Sequence, residues 1–247
     1  GDMSEIKFAQ HNQSSFLLTL EKIQFCWSKN ASFILSLDSL LLGVGEKVFL
    51  EGPSGSGKST LLSLICGIIR PDQGSICIDG IDIVELGAGQ VDRLRADKLG
   101  VIFQQFNLLP YGSVIQNVLL PLQFSQRRRK QASASGTPRE EARRLLQRLG
   151  ISTDLHEQKV AQLSIGQQQR VAVGRAIIGD PQLIIADEPT SALDHDSRDQ
   201  FLTLLFEETA RVNAGLILVS HDRSLASDFD RQLDIREIVR TSSRNTL

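Results

Sequence analysis

An α/β fold is what the sequence predicts: a parallel sheet buried between helices, with an antiparallel β subdomain near the N-terminus and an inserted helical subdomain over 106–162. Three observations carry this. A glycine-rich loop, Gly52–Ser59, stands between a strand-like apolar run and a helical stretch. Four short continuous apolar runs, Val48–Leu50, Val101–Phe103, Leu183–Ala186 and Leu216–Val219, have the pattern of strands buried on both faces. Near the N-terminus the pattern differs: Phe16, Leu18 and Leu20, then Ile23, Phe25 and Trp27, alternate at strand period, and Ile76 and Ile78 lead into the hairpin dipeptide Asp79-Gly80.

Taken in order, residues 1–15 form an expected tail, in which Gly1 and Asp2 precede Met3, the natural start, and look like a cloning remnant. One domain then covers 16–239, and 240–247 are a C-terminal tail. After the glycine-rich loop, Leu61, Leu62, Ile65 and Ile68 mark one helical face that ends near Gly67 and Pro71. The polar, basic segment Gln126–Gly136 is expected to be an exposed loop, either a solvated charge run or a contact for anionic lipid or a membrane partner. A helix follows: Thr137 is its N-cap, Pro138 its first residue and Glu140 the capping-box partner. Ala142, Leu145, Leu146 and Leu149 form its apolar stripe, and Gly150 closes it.

Composition sets the outer limits. With 41% hydrophobic and 23% charged residues in 247 positions, the chain can bury a sizeable core, which excludes wholesale disorder. A formal net charge of −2 supplies no broad basic field, so nucleic acid is not expected as a partner. Cys26, Cys66 and Cys77 are odd in number and lack metal-ligand spacing, which suits a reducing compartment and argues against disulfides or zinc. No apolar run approaches the roughly 20 residues of a membrane span, because Asp38, Gly43, Gly45 and Glu46 interrupt the most apolar early stretch. A cytoplasmic location is expected.

The chemistry is carried by motifs at strand ends. Gly52-Pro53-Ser54-Gly55-Ser56-Gly57-Lys58-Ser59 fits the pattern of a phosphate-binding loop. Its glycines let backbone N–H groups wrap a triphosphate, and the following helix points its positive end at the same charge. Lys58 adds a point charge for the β- and γ-phosphates, and Ser59 offers a hydroxyl to Mg²⁺. The run Leu183–Ala186 delivers Asp187 and Glu188, a costly burial of carboxylates unless a cation and a reacting water meet them. Asp187 would hold Mg²⁺ through its water shell, and Glu188 would accept a proton from the water attacking the γ-phosphate. Gln104 and His221 end apolar strands in the same way. Ligands of open parallel sheets bind beyond the carboxyl ends of the strands, so Lys58, Gln104, Glu188 and His221 are expected to converge. There Gln104 would sense Mg²⁺ and the water, and His221 would hydrogen-bond the γ-phosphate. A second anion-ready helix start lies at Ser164-Ile165-Gly166-Gln167, where Ser164 caps and Gln167 completes a capping box ahead of the apolar helix Val171–Ile178. One phosphate loop already serves this chain's own nucleotide, so the second start is free for the ATP of another copy.

On these residues the sequence resembles the nucleotide-binding subunits of ABC transporters, from about Phe16 to about Val239. The resemblance implies a P-loop core of ABC ATPase type. It makes Trp27 the aromatic that stacks on adenine, Gly52 to Thr60 the phosphate loop, Gln104 the glutamine loop and Ser164 to Gln167 the signature. Asp187 and Glu188 become the metal and catalytic carboxylates, Ser191 to Asp194 the dimer-communication loop and His221 the switch histidine. The family usually has glycine where Ile165 stands. The resemblance further implies ATP and Mg²⁺ as cofactors, a head-to-tail dimer closing around two ATP molecules, and peripheral attachment to a membrane permease at the cytoplasmic face of the inner membrane. The segments Val101–Pro110, Gln116–Val118 and Leu120–Leu122 look like the branch serving lipoprotein release, macrolide efflux and cell division, whose permeases carry periplasmic domains. Three rivals stand beside this reading: a nucleotide kinase, an ABC ATPase acting on DNA or ribosomes, and a regulatory ABC ATPase that signals across the membrane without transport.

Overall fold

The computed structural model describes residues 16–27, 33–53 and 55–243. The expected tail 1–15, Ser54 of the glycine-rich loop and residues 244–247 lie outside them. The described residues divide into two compact units, one made of those up to 92 with those from 219 on and the other of 93–218. In chain order the first unit begins with strands β1 (Phe16–Cys26), β2 (Phe33–Gly43) and β3 (Lys47–Glu51), helix α1 (Lys58–Ile65), and hairpin strands β4 (Gln73–Ile78) and β5 (Ile81–Asp82). Helix α2 (Ala88–Lys98) leads into the second unit, followed by β6 (Leu99–Ile102), α3 (Val114–Leu119), α4 (Gln126–Ala132) and α5 (Pro138–Arg148). Helix α6 (Ile165–Ile177), β7 (Leu183–Asp187), α7 (His195–Arg211) and β8 (Gly215–Ser220) come next. Strand β9 (Arg231–Asp234), the single-turn α8 (Ile235–Ile238) and β10 (Val239–Ser243) complete the first unit.

The antiparallel sheet of the first unit has the order β10-β2-β1-β4-β5. Along β1 the buried residues change phase, from Leu18 and Leu20 to Ile23 and Phe25. The cause is a bulge: Lys22 has φ +51, and the pairing with β4 slips between Glu21 and Gln24. Gly74 lies opposite, where a Cβ would sit 2.5 Å from the Lys22 carbonyl oxygen. The β4–β5 turn is the expected one, with Asp79 at φ +51 and Gly80 at φ +77, the left-handed pair that a two-residue hairpin needs. Strand β3 pairs in parallel with β9, and the Gly52 N–H donates to the Ser220 carbonyl at 3.1 Å, which sets β3 beside the end of β8.

Two expectations in this unit are corrected. Helix α1 stops at Ile65 because a left-handed Gly67 (φ +70) closes it, with the Gly67 and Ile68 amides donating to the Leu64 and Ser63 carbonyls at 3.1 and 2.9 Å. Ile68 therefore lies past the helix, exposed, and is no part of its apolar face. Residues 240–243, expected as tail, continue as β10 against β2, from Val239↔Leu37 to Ser243↔Phe33. The strand covers an edge of β2 that would otherwise present unpaired backbone groups.

In the second unit β6 and β7 pair in parallel, and the start of β8 joins them, with the Gly215 N–H donating to the Gln182 carbonyl at 2.8 Å. All four apolar runs thus lie on strands, except that β6 ends at Ile102 and Phe103 lies past it, exposed. Between β6 and α6 the chain is helical, as expected. Helix α5 has its predicted ends: Thr137 Oγ1 accepts from the Glu140 N–H at 3.1 Å, and Gly150 at φ +77 terminates it. Only half of the expected capping box forms, since Glu140 returns no bond to Thr137. Ala142, Leu145, Leu146 and Leu149 are buried.

The basic segment is corrected from a loop to helix α4. Ser125 caps it, accepting from the Arg128 N–H at 3.1 Å. Arg128 itself is only 3% exposed. Its guanidinium donates to the carbonyls of Ile178 (2.9 Å), Ala176 (3.0 Å), Arg175 (3.2 Å) and Leu99 (3.4 Å). A cation thereby meets the negative end of α6 and satisfies carbonyls that the helix leaves unpaired. Burial pulls the Arg128 pKa down to about 10, still protonated at neutral pH. Among the described residues, no helix is long and apolar enough to cross a membrane.

Candidate functional site

The first unit holds the glycine-rich loop. It leaves β3 after Glu51, and the Gly52 to Ser220 hydrogen bond brings His221, the next residue of β8's extension, to the same strand end. A side chain at Gly52 would crowd Lys58, whose Cδ lies 3.1 Å from the position of a Cβ, so the lysine folds back along the loop. Gly55 and Gly57 are left-handed at φ +80 and +89, and Ser56 Oγ donates to the Pro53 carbonyl at 2.6 Å. Helix α1 starts on Gly57, and no side-chain cap and no first-turn carboxylate of its own occupies its positive end. Ser59 is exposed beside it and Thr60 is buried. Trp27 stands against this helix: its indole N–H donates to Thr60 Oγ1 at 3.2 Å, and its ring meets Phe25 edge-on at 5.1 Å. Even so, 56% of Trp27 is exposed, which leaves a ring face for stacking.

The second unit holds the carboxylates and the signature. Ile102 pairs with Ala186, so Gln104 and Glu188 each stand two residues beyond the last paired position, at one end of the β6–β7 pair. Asp187 ends β7. Glu188 is 5% exposed and left-handed at φ +46, an unfavourable conformation for a residue with a side chain and one that concentrates at functional turns. The next residues turn tightly, with Leu193 N–H donating to the Thr190 carbonyl at 3.0 Å. Asp194 caps α7, accepting from the Ser197 N–H at 2.8 Å, and that bond holds its carboxyl below the ordinary range.

The signature is itself the first turn of α6, not a segment ahead of a helix starting at Val171. Ser164 Oγ accepts from the Gln167 N–H at 3.2 Å, and the Gln167 side chain accepts from the Ser164 N–H at 3.0 Å, so the expected capping box is complete. Ile165 keeps an ordinary negative φ, and its side chain is 56% exposed. A side chain at Gly166 would meet nothing within 4 Å.

Two residues that sequence inspection passes over tie this unit together. Gln169, buried in α6, donates to the Pro189 carbonyl just after Glu188. Arg175, also in α6, donates to the Phe106 carbonyl and, at 2.8 Å, to that of Asn107, in the loop that follows Gln104. Helix α6 thus braces both the glutamine loop and the carboxylate turn. Burial lowers the Arg175 pKa. The available signal was an arginine inside the apolar stretch Val171–Ile178, a position where a charge needs partners.

The sequence-predicted residues therefore fall into two groups. Trp27, the described residues of Gly52–Thr60 and His221 lie in one unit; Gln104, Ser164, Gly166, Gln167, Asp187, Glu188 and Asp194 lie in the other.

Comparison with known proteins agrees with these elements. The family described as ABC transporter matches residues 35–191. The ABC transporter ATP-binding protein YvrO of Bacillus subtilis is 38% identical over 223 residues, covering 90% of this chain and 94% of that one. LolD, the ATP-binding protein of the lipoprotein-releasing system of Shewanella frigidimarina, is 37% identical over 83% of this chain and 82% of its own length. MacB, a macrolide export ATP-binding/permease protein of Hyphomonas neptunium, is 39% identical over 90% of this chain, which spans only 33% of that longer relative. Among solved structures, the dimeric structure of the bacterial ABC transporter cassette MJ0796 aligns with a TM-score of 0.73 at 32% identity, over 93% of this chain and 100% of that one. A post-hydrolysis state of the same cassette with ADP and phosphate aligns at 0.72.

Proposed function

Since the chain belongs to the ABC transporter ATP-binding family, we propose that it hydrolyses ATP as a head-to-tail dimer and so moves a separate membrane permease. It is an ABC-type ATPase similar to LolD and the ATPase part of MacB. The observation that carries the dimer is the presence of two anion-ready helix starts in one chain, α1 at Lys58 and α6 at Ser164. One copy's phosphate loop and another's signature would close over the same triphosphate.

In this arrangement Trp27 stacks on the adenine, the backbone of Gly52–Thr60 wraps the phosphates, and Lys58 draws the β- and γ-phosphate charge. Glu188 accepts a proton from the attacking water as the bond from the γ-phosphorus to the β-phosphate oxygen breaks, leaving ADP and phosphate. His221 hydrogen-bonds the γ-phosphate, and Asp194 belongs to the loop facing the other copy. Ser59, Gln104 and Asp187 are all oxygen donors, the set a hard divalent cation prefers, and would hold Mg²⁺. That ion would offset charge on the phosphate oxygens. The burial and left-handed backbone of Glu188 support its role, because an unfavourable backbone conformation of this kind concentrates at functional turns.

Opening after hydrolysis would pull on the permease, which is proposed to carry a periplasmic domain and to transmit force without passing cargo through the bilayer, with this chain attached peripherally at the cytoplasmic face. The test is Glu188→Gln. Phosphate release should fall about 1,000-fold, within the range expected for loss of a general base, while Mg·ATP binding persists and light scattering detects a dimer. A variant that hydrolyses ATP normally would remove the base assigned here, and a strict monomer would remove the dimer.

A further inference from the structure

Between Asp97 and Glu140 the chain carries no acidic residue, and most of the cations of that stretch are the consecutive Arg127, Arg128, Arg129 and Lys130 of helix α4. Arg128 faces inward onto the end of α6. Three further bonds fix the helix: Ser125 Oγ donates to Asp97 Oδ1 at 2.5 Å, Arg127 donates to the Asp97 main-chain carbonyl at 2.9 Å, and Gln131 donates to Asp180 at 3.0 Å. Gly179 presses against it as well, since a Cβ there would lie 2.5 Å from the Arg128 carbonyl oxygen. The outward-facing guanidinium groups therefore stand on a fixed backbone.

They open on a cavity of about 750 Å³ lined by Arg93, Asp97, Leu122, Phe124, Arg127 and Arg129. Three guanidinium groups face one carboxylate, and that carboxylate is already engaged by Ser125, so the cavity is net positive in a chain whose formal charge is −2. Phe124 is 69% exposed. Exposed arginines beside an exposed aromatic and a volume well above that of a bare phosphate are the features of a surface that meets a charged head group and the apolar layer behind it.

We propose that this cavity binds the phosphate head group of an anionic phospholipid. Arg93 and Arg129 present forked donors to the phosphate oxygens, and Phe124 enters the interfacial layer. The site is separate from every nucleotide-binding residue proposed above, and its test uses no nucleotide, so its failure leaves the ATPase reading untouched.

The full chain is floated with vesicles of neutral phosphatidylcholine alone or with about a third phosphatidylglycerol, at low and high salt. Binding is expected to the anionic vesicles only, and to fall away at high salt through screening. The double variant Arg93→Gln, Arg129→Gln removes two exposed side chains and leaves the buried Arg128 in place. It should bind about 30-fold more weakly, from roughly 1 kcal/mol for each basic residue near an anionic surface. Phe124→Ser should weaken binding further, whereas Arg143→Gln, at a part-exposed arginine paired with Glu157, should have little effect. Equal binding to neutral vesicles, or an equal loss in Arg143→Gln, would overturn the proposal. So would full competition by millimolar inorganic phosphate, which points to a soluble phosphate ligand, and so would capture of poly-glutamate without capture of vesicles.

Discussion

Helices α1 and α6 both begin on turns that present backbone amides, yet they begin in opposite ways. Helix α1 opens on a left-handed glycine with no side-chain cap and no acidic residue near it. Helix α6 opens on Ser164 inside a closed capping box. An uncapped start keeps its positive end open at all times, and in α1 a lysine adds to it. The capping box of α6 pairs the Ser164 and Gln167 amides within the chain, so α6 keeps its shape without any ligand. The Ser164 hydroxyl, which accepts in the cap, keeps its O–H to donate to a phosphate. The first helix start is left open by its own chain and the second is shaped in advance by its cap, an asymmetry that fits the proposed closure of one copy's α6 over the ATP held at another copy's α1.

The largest effect that would break this comparison is expected at Gly57. Its φ of +89 strains any residue with a Cβ, and that Cβ would lie 3.2 Å from Leu35 Cδ1. Gly57→Ala should weaken Mg·ATP binding on the order of 100-fold in titration calorimetry, because the amides at the start of α1 would no longer point at the phosphates. Unchanged affinity would show that the left-handed turn does not shape the site.

An intermediate effect separates the two duties of Ser164. Ser164→Ala should lower stability to urea by about 1 kcal/mol through loss of the cap. Ser164→Asp keeps a capping oxygen and should unfold like the parent, yet place a negative charge where the other copy's phosphate is proposed to lie, cutting ATPase turnover about 100-fold. Full turnover in Ser164→Asp would mean that α6 meets no phosphate.

The smallest effect concerns a third helix start, Asp194 at α7. Its carboxyl is held below the ordinary value of 3.8, first by the Ser197 backbone hydrogen bond. A depressed carboxyl contributes stability above its unfolded pKa and loses it as pH falls through the folded one. Asn caps equally well but does not titrate. Asp194→Asn should therefore match the parent in thermal melts near neutral pH and lose slightly less stability below about pH 4. A variant that melts much lower at neutral pH would show that the charge itself, and not the capping bond, holds this turn.

Most of the fold was legible where neighbouring residues settle the backbone among themselves. The four apolar runs, but for Phe103, became strands, Asp79-Gly80 made its hairpin, Thr137 and Gly150 bound α5, and Ser164 with Gln167 formed a capping box, all within a few residues of one another. The glycine-rich loop and the Asp187–Glu188 turn were legible for the same reason, since each is a local turn at the end of a strand. What inspection missed has distant partners. Arg128 lies in a polar run whose composition suggests a loop, and its carbonyl acceptors include one 50 residues away. Arg175 reaches 68 residues back to Asn107. Strand β10 pairs with residues some 200 positions earlier.

By itself the sequence determined the type and ends of most elements, the phosphate loop and the carboxylate turn, because short-range sterics and hydrogen bonds decide those. Only the tertiary structure decided that the basic segment is a helix clamped on the end of α6, that α6 braces the glutamine loop and the carboxylate turn, and that the chain's last described residues form a strand. Each of those rests on a buried donor or a sheet edge whose acceptors lie far away in sequence, and a desolvated polar group settles wherever the fold supplies its partner.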